Sequence, residues 1–104
     1  MEHRKKLLSM IGMAYKAGKI ISGEDPVRKA IRKNSVKLLI IAEDASDNTK
    51  KRFINSAVYY HVPYFIYLTK AELSDSLGQK IRSVASVTDE GFAKHLISLM
   101  ENSS

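Results

Sequence analysis

The sequence predicts an α/β fold in which one sheet of about four strands is covered by helices on both faces. Apolar residues at helical spacing or capping residues mark five segments, and four short apolar or β-branched segments lie between them. Helices and strands that alternate in this way pack as a single covered sheet. The 104 residues are enough for one hydrophobic core and too few for two. We therefore expect residues 1–104 to form one domain.

The first half of the chain contains two predicted helices and two predicted strands. Apolar residues from Leu7 to Tyr15 predict the first helix, and Gly18 is placed to end it. Residues 19–22 can form only a short strand. For the second helix we predict Asp25 as the N-cap and Pro26 as the first helical residue, where its missing N–H costs nothing. The predicted buried stripe of this helix is Val27, Ala30 and Ile31.

The second half continues the alternation, beginning with a nearly continuous apolar run at residues 36–42 that indicates a strand buried on both faces. A third helix begins near Asp47 and is marked by Phe53, Ile54, Ala57 and Val58. Residues 63–69 and 81–87 are predicted strands. The short helix between them starts with a capping box of Thr69 and Glu72 and ends at Gly78. Thr88 or Asp89 caps the last helix, and the tail at residues 101–104 is expected to fray.

The charge balance is basic, with 17 Lys and Arg against 11 Asp and Glu, a net charge of +6 and a pI near 9.6. Such a balance fits a polyanionic partner, although it also fits charge that only provides solubility. The chain has no cysteine, which excludes disulfides and thiolate metal sites and fits a reducing compartment. No apolar run approaches the roughly 20 residues of a membrane span. We expect a cytoplasmic protein with no membrane association.

Catalytic groupings are not evident. His3, His61 and His95 are scattered without metal-ligand spacing, and each is interpreted as a surface or packing histidine. Glu43 and Asp44 follow a predicted strand, but no third group completes a hydrolytic site. The glycines match neither GxxxxGK[ST] nor GxGxxG. We therefore expect no enzymatic activity, no catalytic residues, no metal and no cofactor.

The start of the second helix is the most informative segment. A helix N-terminus exposes backbone N–H groups that bind phosphate readily, and Gly23 allows a partner to come close. Lys29 and Lys33 lie four residues apart on one face, an arrangement that suits a polyanion but also a solvated helix surface. Glu24 and Asp25 would repel phosphate, yet carboxylates accept hydrogen bonds from base amino groups as well as capping helices. Cations around an acid pair favour a protein that reads exposed RNA bases.

Five sequence segments, in this order and spacing, carry a resemblance to a known family: AYKAGKIISGED, VKLLIIAEDAS, NTKK, YYHVPY and VTDEGFAKHL. Over about residues 7–100 the chain resembles the ribosomal L7Ae/L30e superfamily of kink-turn RNA-binding proteins, and within it the small bacterial YlxQ-type members. The resemblance implies a three-layer α/β/α sandwich with a mixed central sheet. It also implies that residues 1–104 form a single RNA-binding domain.

The motif with which this superfamily reads RNA is Gly-x-Asn-Glu-x-x-Lys at the start of the second helix. Gly23 and Lys29 match it, whereas Asp25 replaces the asparagine and Pro26 the glutamate. A shift of one residue would place Glu24 and Asp25 at the Asn-Glu positions and Arg28 at the lysine. By resemblance, this helix enters the widened groove of a kinked RNA beside tandem sheared G·A pairs. Lys29 would contact a guanine edge, and Gly23 and Lys33 would lie against the RNA backbone.

Two further contact segments are implied by position in the family. The loop after the second main strand contributes Glu43, Asp44 and Ser46. The loop before the last strand contributes Gln79, Lys80, Ile81 and Arg82, and packs on a flipped-out base. Lys50, Lys51 and Arg52 are expected to act at most through weak nonspecific attraction.

The resulting hypothesis is a non-catalytic RNA-binding protein that recognises kink-turn-like structured RNA as a ribosomal or ribosome-associated protein. Its expected partners are structured ribosomal or other non-coding RNA and ribosomal proteins, and we expect a monomer. One alternative is a protein-docking adaptor that keeps the fold with a weakened RNA site, which Asp25 and Pro26 favour. A second alternative is the recognition domain of an RNA-modifying enzyme, against which the short chain argues.

Overall fold

Five helices alternate with four strands in the computed structural model, which describes residues 2–78 and 80–102 and, from Arg4 on, their side chains. The elements are α1 (Glu2–Lys16), β1 (Ile20–Ser22), α2 (Glu24–Arg32), β2 (Leu38–Ile41), α3 (Asp47–Tyr59), β3 (Tyr64–Ile66), α4 (Lys70–Leu77), β4 (Val84–Val87) and α5 (Glu90–Glu101). This order confirms the predicted alternation. Gln79, Ser103, Ser104 and the side chain of His3 lie outside the described residues.

The four strands form one mixed sheet in the order β1-β4-β2-β3. β4 is antiparallel to both β1 and β2, whereas β3 is parallel to β2. The chain therefore leaves β1, β2 and β3, and enters β4, at the same end of the sheet. We call this the upper end, and the opposite end the lower end. Among the described residues, no helix is long and apolar enough to cross a membrane.

Side chains that alternate along the buried strands divide the core into two layers. Leu38 and Ile40 of β2 pack with α1, α4 and α5 on one face of the sheet. Leu39 and Ile41 pack with α2 and α3 on the other face. All four residues of β2 are fully buried, as the apolar run predicted. The result is the expected three-layer α/β/α sandwich.

The helix boundaries follow local capping chemistry at several predicted positions. The Thr69 hydroxyl accepts from the Glu72 N–H while the Glu72 carboxylate accepts from the Thr69 N–H, which is the predicted capping box. Gly78 ends α4 in the left-handed conformation, with φ 61°. The Asp89 carboxylate caps α5 by accepting from the Phe92 N–H at 2.9 Å.

Both later strands are shorter than predicted. β3 contains three residues rather than residues 63–69 because the backbone turns at Leu68, which has φ 69°, and Thr69 caps α4. β4 begins at Val84 rather than at residue 81, because the Arg82 N–H donates to the Ser74 hydroxyl at 2.7 Å instead of joining the sheet. Among the apolar residues that mark α3, Val58 is 62% exposed.

Candidate nucleic-acid interface

The upper end of the sheet brings together the three segments that the sequence analysis assigned to RNA contact. The entrance of α2 follows β1, residues 43–46 follow β2, and residues 80–82 precede β4. The Gly23 N–H donates to the Val84 carbonyl at 3.1 Å, and the Ala42 N–H donates to the Ser83 carbonyl at 2.8 Å. Segments that are distant in sequence thus become neighbours because β4 lies between β1 and β2.

Gly23, and not the predicted Asp25, is the N-cap of α2. Its backbone has φ 95° and ψ 151°, a conformation that is essentially restricted to glycine. The Gly23 carbonyl accepts the first helical hydrogen bond, from the Val27 N–H at 3.1 Å, while its own N–H is held by β4. Pro26 is consequently the third helical residue rather than the first. Its missing N–H still costs nothing, because the first four N–H groups of a helix have no intrahelical partner.

Glu24 links the first turn of α2 to α3. One carboxylate oxygen accepts from Arg52 at 2.6 Å, and the other accepts from the Thr49 hydroxyl at 3.2 Å. Both ends of the ion pair are partly exposed, with 46% of the Arg52 side chain and 38% of the Glu24 side chain accessible. Glu24 therefore holds two helices together at the position where the sequence suggested a base-reading carboxylate. The sequence analysis missed this role of Arg52, which only the tertiary fold brings to Glu24.

Beyond its first turn, α2 presents a basic outer face. Arg28 donates to the exposed Asp25 carboxylate at 2.8 Å, which partly neutralises the acid. Lys29 and Lys33 are exposed, and neither has an ion-pair partner among the described residues. The Lys33 N–H donates to the Lys29 carbonyl at 3.1 Å, so the two lysines lie one turn apart. The inner face consists of Val27, Ala30 and Ile31, all buried as predicted.

The segment after β2 positions the starts of two other helices. The Asp44 carboxylate accepts from the Lys70 N–H, the first of α4, at 2.8 Å. The Ser46 hydroxyl is the N-cap of α3 and accepts from the Thr49 N–H at 3.1 Å. Glu43 is exposed, and its N–H donates to the Leu68 carbonyl at 2.7 Å. These residues have structural roles, and they leave carboxylate oxygens exposed beside the α2 entrance.

The loop before β4 presents an apolar side chain flanked by cations. Lys80 is exposed, and Ile81 is 66% exposed. The partly buried Arg82 guanidinium donates to the Ser22 hydroxyl at 3.3 Å. A Cβ placed on Gly23 would lie 3.8 Å from Arg82 Nε, so the arginine side chain passes directly beside the α2 entrance. Sequence reasoning did not identify Ser22 and Ser74, the two hydroxyl groups that anchor Arg82.

No grouping of metal-ligating side chains occurs within residues 2–78 and 80–102. His61 lines a cleft of about 420 Å³ at the lower end, between the helices on the two faces. His95 lies on α5 and faces α1, apart from this cleft. The described histidines therefore do not converge with the carboxylates of the upper end.

The fold and this arrangement of segments agree with a comparison against known families. The family model of ribosomal protein L7Ae/L30e/S12e/Gadd45 matches residues 5–97. The chain belongs to this family. The L7Ae/L30e match extends from the first turns of α1 to α5, so it includes all three segments at the upper end of the sheet.

Relatives of high similarity within the L7Ae/L30e family are small bacterial proteins. The RNA-binding protein YlxQ of Bacillus subtilis is 46% identical over 92 residues, which cover 88% of this chain and 92% of the relative. The YlxQ protein of Enterococcus faecium is 40% identical over 99 residues, with 95% of each chain covered. The large ribosomal subunit protein eL8 of Thermoplasma volcanium is 33% identical and covers 88% of this chain, with 74% of the relative matched. These similarities agree with the resemblance inferred from the sequence.

Solved structures share the same architecture. A protein from Bacillus halodurans C superposes with a TM-score of 0.90 at 32% identity, covering 93% of this chain and 98% of the other. The Giardia lamblia 15.5kD RNA binding protein superposes with a TM-score of 0.80 at 21% identity, covering 97% and 89%. At that identity, the second similarity establishes the α/β/α fold alone.

Proposed function

We propose that this protein binds kink-turn-like structured RNA through the upper end of its sheet, as a non-catalytic ribosomal or ribosome-associated protein of the cytoplasm. The observation that carries the proposal is the convergence of a glycine-capped basic helix, a carboxylate-rich turn and an exposed apolar loop at one end of the fold. Membership of the L7Ae/L30e family supports it, as do relatives that are named as RNA-binding and ribosomal proteins. In this proposal the protein acts as a monomer.

The α2 entrance supplies the proposed contacts with the RNA backbone. The N–H groups of the first turn and the helix dipole favour a phosphate near Gly23, where the absence of a side chain permits close approach. Lys29 and Lys33 are free of intramolecular ion pairs among the described residues, so binding RNA would not require an existing pair to break. In the register that aligns Gly23 and Lys29 with the family motif, Lys29 contacts a guanine edge.

The loop at residues 80–82 supplies the proposed contact with an unstacked base. Ile81 is 66% exposed, and an apolar side chain in that position can pack against the face of a splayed base. Lys80 beside it can neutralise the neighbouring phosphate. Arg82 holds the loop beside the α2 entrance, because its N–H donates to Ser74 of α4 and its guanidinium donates to Ser22 at the end of β1.

Glu43, Asp44 and Ser46 complete the proposed interface. Their exposed oxygens lie at the upper end, where they can accept hydrogen bonds from base amino groups. Glu24 and Asp25 have the same chemistry, but both already accept hydrogen bonds from arginines. We therefore propose that Glu24 and Asp25 contribute mainly by holding Arg52 and Arg28 beside the RNA.

Binding of this kind would stabilise the bent RNA over the extended form. A protein shifts such an equilibrium only by its difference in affinity for the two forms. The sheet fixes the loop at residues 80–82 relative to the α2 entrance. Both can therefore contact one RNA molecule only when that RNA presents its groove and its unstacked base together. The fold thereby provides a physical source of differential affinity.

The test is a fluorescence binding titration with a kinked RNA and with the same RNA in which Watson–Crick pairs replace the G·A pairs. We expect tight binding to the first and weak, salt-sensitive binding to the second. Lys29→Ala should reduce the affinity for the kinked RNA by about 1–3 kcal/mol and reduce base discrimination. Lys37→Ala removes the same charge at the lower end and should have little effect.

Equal affinity of the wild-type protein for the two RNAs at both low and high salt would contradict kink recognition. Equal binding that is lost at high salt would indicate a general basic surface, and the protein-docking role would then be favoured. A Lys29→Ala variant that binds the kinked RNA as tightly as the wild type would contradict the placement of the site on α2.

A further inference from the structure

The basic start of α1 is a second cationic surface. Lys5 and Lys6 are exposed, and neither has an ion-pair partner among the described residues. The neighbouring Arg4 differs, because it donates two hydrogen bonds of 2.7 Å to the Glu72 carboxylate and lies 5.3 Å from the centre of the Tyr67 ring. Arg4 therefore fixes the first turn of α1, and the charges of the two lysines next to it are not neutralised by any ion pair among the side chains from Arg4 on that the structure describes.

A chain of contacts places the start of α1 at the upper end of the sheet. Glu72, which holds Arg4, also closes the capping box at the start of α4. The first N–H of α4, from Lys70, donates to Asp44 at the exit of β2. The hydrogen bond to Glu72 is the main cause that raises the pKa of Arg4, and the negative charge of Glu43, next to Asp44, raises it further. The first turn of α1 thus lies near the same turn that borders the α2 entrance.

The two basic surfaces lie on opposite faces of the sheet. α2 packs on the face formed by Leu39 and Ile41, whereas α1 and α4 pack on the face formed by Leu38 and Ile40. Exposed carboxylates of Glu43 and Asp44 lie between them at the upper end. Because carboxylates repel phosphates, one continuous RNA backbone is not expected to run from one surface to the other.

A sharply bent RNA matches this separation of charge. Its two double-helical arms leave the bend in different directions, and each carries its own phosphate backbone. We propose that Lys5 and Lys6 bind phosphates of the arm that does not contain the G·A pairs, while α2 holds the arm that does. This inference rests on the proposed function, and it assigns the α1 surface to a part of the RNA that α2 and the loop at residues 80–82 do not reach.

The experiment compares two charge-matched double variants of α1 and the turn after it. Lys5→Ala with Lys6→Ala removes two cations at the upper end. Lys16→Ala with Lys19→Ala removes two exposed cations at the lower end, where the Lys19 carbonyl accepts from the Thr88 N–H. Affinities are measured for a kinked RNA with two full arms and for one whose arm without G·A pairs is cut to two base pairs. Thermal unfolding checks that both variants remain folded.

We expect the Lys5 and Lys6 variant to bind the two-arm RNA about fivefold more weakly than the wild type, with a shallower dependence of log affinity on log salt. The loss should disappear with the shortened RNA, and the Lys16 and Lys19 variant should match the wild type on both. An equal loss with both RNAs, or equal losses for the two variants, would overturn the proposal. Failure of the proposed function gives a different result, because the wild type would then not distinguish the kinked RNA from its Watson–Crick control.

Discussion

Gly23 shows at the scale of one residue how backbone conformation determines where α2 begins. A side chain at this position would meet only ordinary contacts, the nearest being Pro26 Cδ at 3.6 Å. The backbone conformation is nevertheless one that side-chain-bearing residues rarely adopt, because φ is 95° and ψ is 151°. The unfavourable effect of a substitution should therefore come from the backbone and not from crowding.

We expect Gly23→Ala to lower the free energy of unfolding by about 1–3 kcal/mol. Gly78→Ala is the matched comparison, since Gly78 has φ 61° with nothing near its virtual Cβ, and this left-handed region is more accessible to alanine. Urea denaturation should show the larger shift of midpoint for Gly23→Ala. A larger shift for Gly78→Ala would show that the Gly23 conformation is not the source of strain.

The contact between Glu24 and Arg52 is a second feature at this scale. The pair is partly exposed, so we expect a coupling free energy of only about 0.5–1 kcal/mol. A double-mutant cycle with Glu24→Gln and Arg52→Gln, measured by urea denaturation, isolates that coupling. The exposed pair of Glu90 and Lys94, at 3.5 Å, should give a smaller value in a parallel cycle. Zero coupling between Glu24 and Arg52 would mean that the pair does not join α2 to α3.

The residue-scale errors of the sequence prediction have a common cause. Asp25 is a chemically suitable cap, but the cap is Gly23 because a tertiary hydrogen bond to Val84 fixes the backbone two residues earlier. Glu24 was interpreted as a base reader because its partner Arg52 is distant in sequence. Local chemistry predicted the capping box of Thr69 and Glu72, and it named Asp89 as one of two candidate caps of α5, since each of these caps bonds the backbone of its own helix.

At the scale of elements, the junction between α1 and α4 predicts a dependence of stability on pH. The two hydrogen bonds from Arg4 hold the pKa of Glu72 at about 2, below its ordinary value of 4.5. A carboxylate whose pKa is lowered by folding stabilises the folded state above its unfolded pKa. That stabilisation is lost as the pH falls through the range from about 5 to 2. Since both side chains are about one-third exposed, solvent screening limits the contribution to about 1 kcal/mol.

The matched variant is Glu72→Gln, which keeps an acceptor oxygen for the capping box but removes the charge. We expect it to be less stable than the wild type at pH 7 and nearly equal to it at pH 2, as measured by urea denaturation at both pH values. Glu90→Gln on α5 removes a carboxylate from an exposed pair and should cost only a few tenths of a kcal/mol at pH 7. A Glu72→Gln deficit that persists at pH 2 would assign the loss to packing rather than charge.

The presence of each helix and strand was easier to predict from the sequence than the residues at which it begins and ends. Periodicity identified four of the described helices, capping residues identified α4, and the continuous apolar run identified β2 because it reflects burial on both faces. Residues 63–69 look equally strand-like, but the extended backbone ends before Leu68, which has φ 69°, and Thr69 already caps α4. Val58 continues the apolar stripe of α3 beyond the part of the helix that the core covers. Such limits depend on neighbouring elements, which periodicity does not describe.

The whole molecule provides a global test of RNA binding. A ligand that binds only the folded state increases the free energy of unfolding by RT ln(1 + [L]/Kd). RNA at about 100 times Kd should therefore slow the hydrogen exchange of amides that exchange only by global unfolding by about 100-fold. Buried amides of β2 and β4, such as those of Ile40 and Ala85, are suitable reporters in hydrogen-exchange measurements. The Watson–Crick control RNA at the same concentration should protect them much less. Equal protection by both RNAs would contradict kink recognition.

The strand order is the feature of the whole molecule that the sequence alone did not predict. The alternation predicted one sheet, and the family resemblance implied a mixed one. Neither predicted that β4 lies between β1 and β2, with Val84 opposite Ile41 and Ala85 opposite Ser22. The candidate site depends on that order, because it brings residues 80–82 beside Gly23. Sequence reasoning placed the segments on the correct loops, while the sheet determines which of them touch.

The central position of β4 also has a consequence during protein synthesis. A growing chain that ends before Val84 contains β1, β2 and β3, but β1 then has no strand to pair with, and the Gly23 N–H has no Val84 carbonyl to receive it. Both core layers contain residues of β4, namely Ala85 and Val87 in one and Val84 in the other. Neither layer is therefore complete until the last quarter of the chain has been synthesised. The ribosome must therefore deliver almost the entire polypeptide before the α2 entrance acquires its shape, so a fragment that ends before Val84 carries the basic residues of α2 without the contact that positions Gly23.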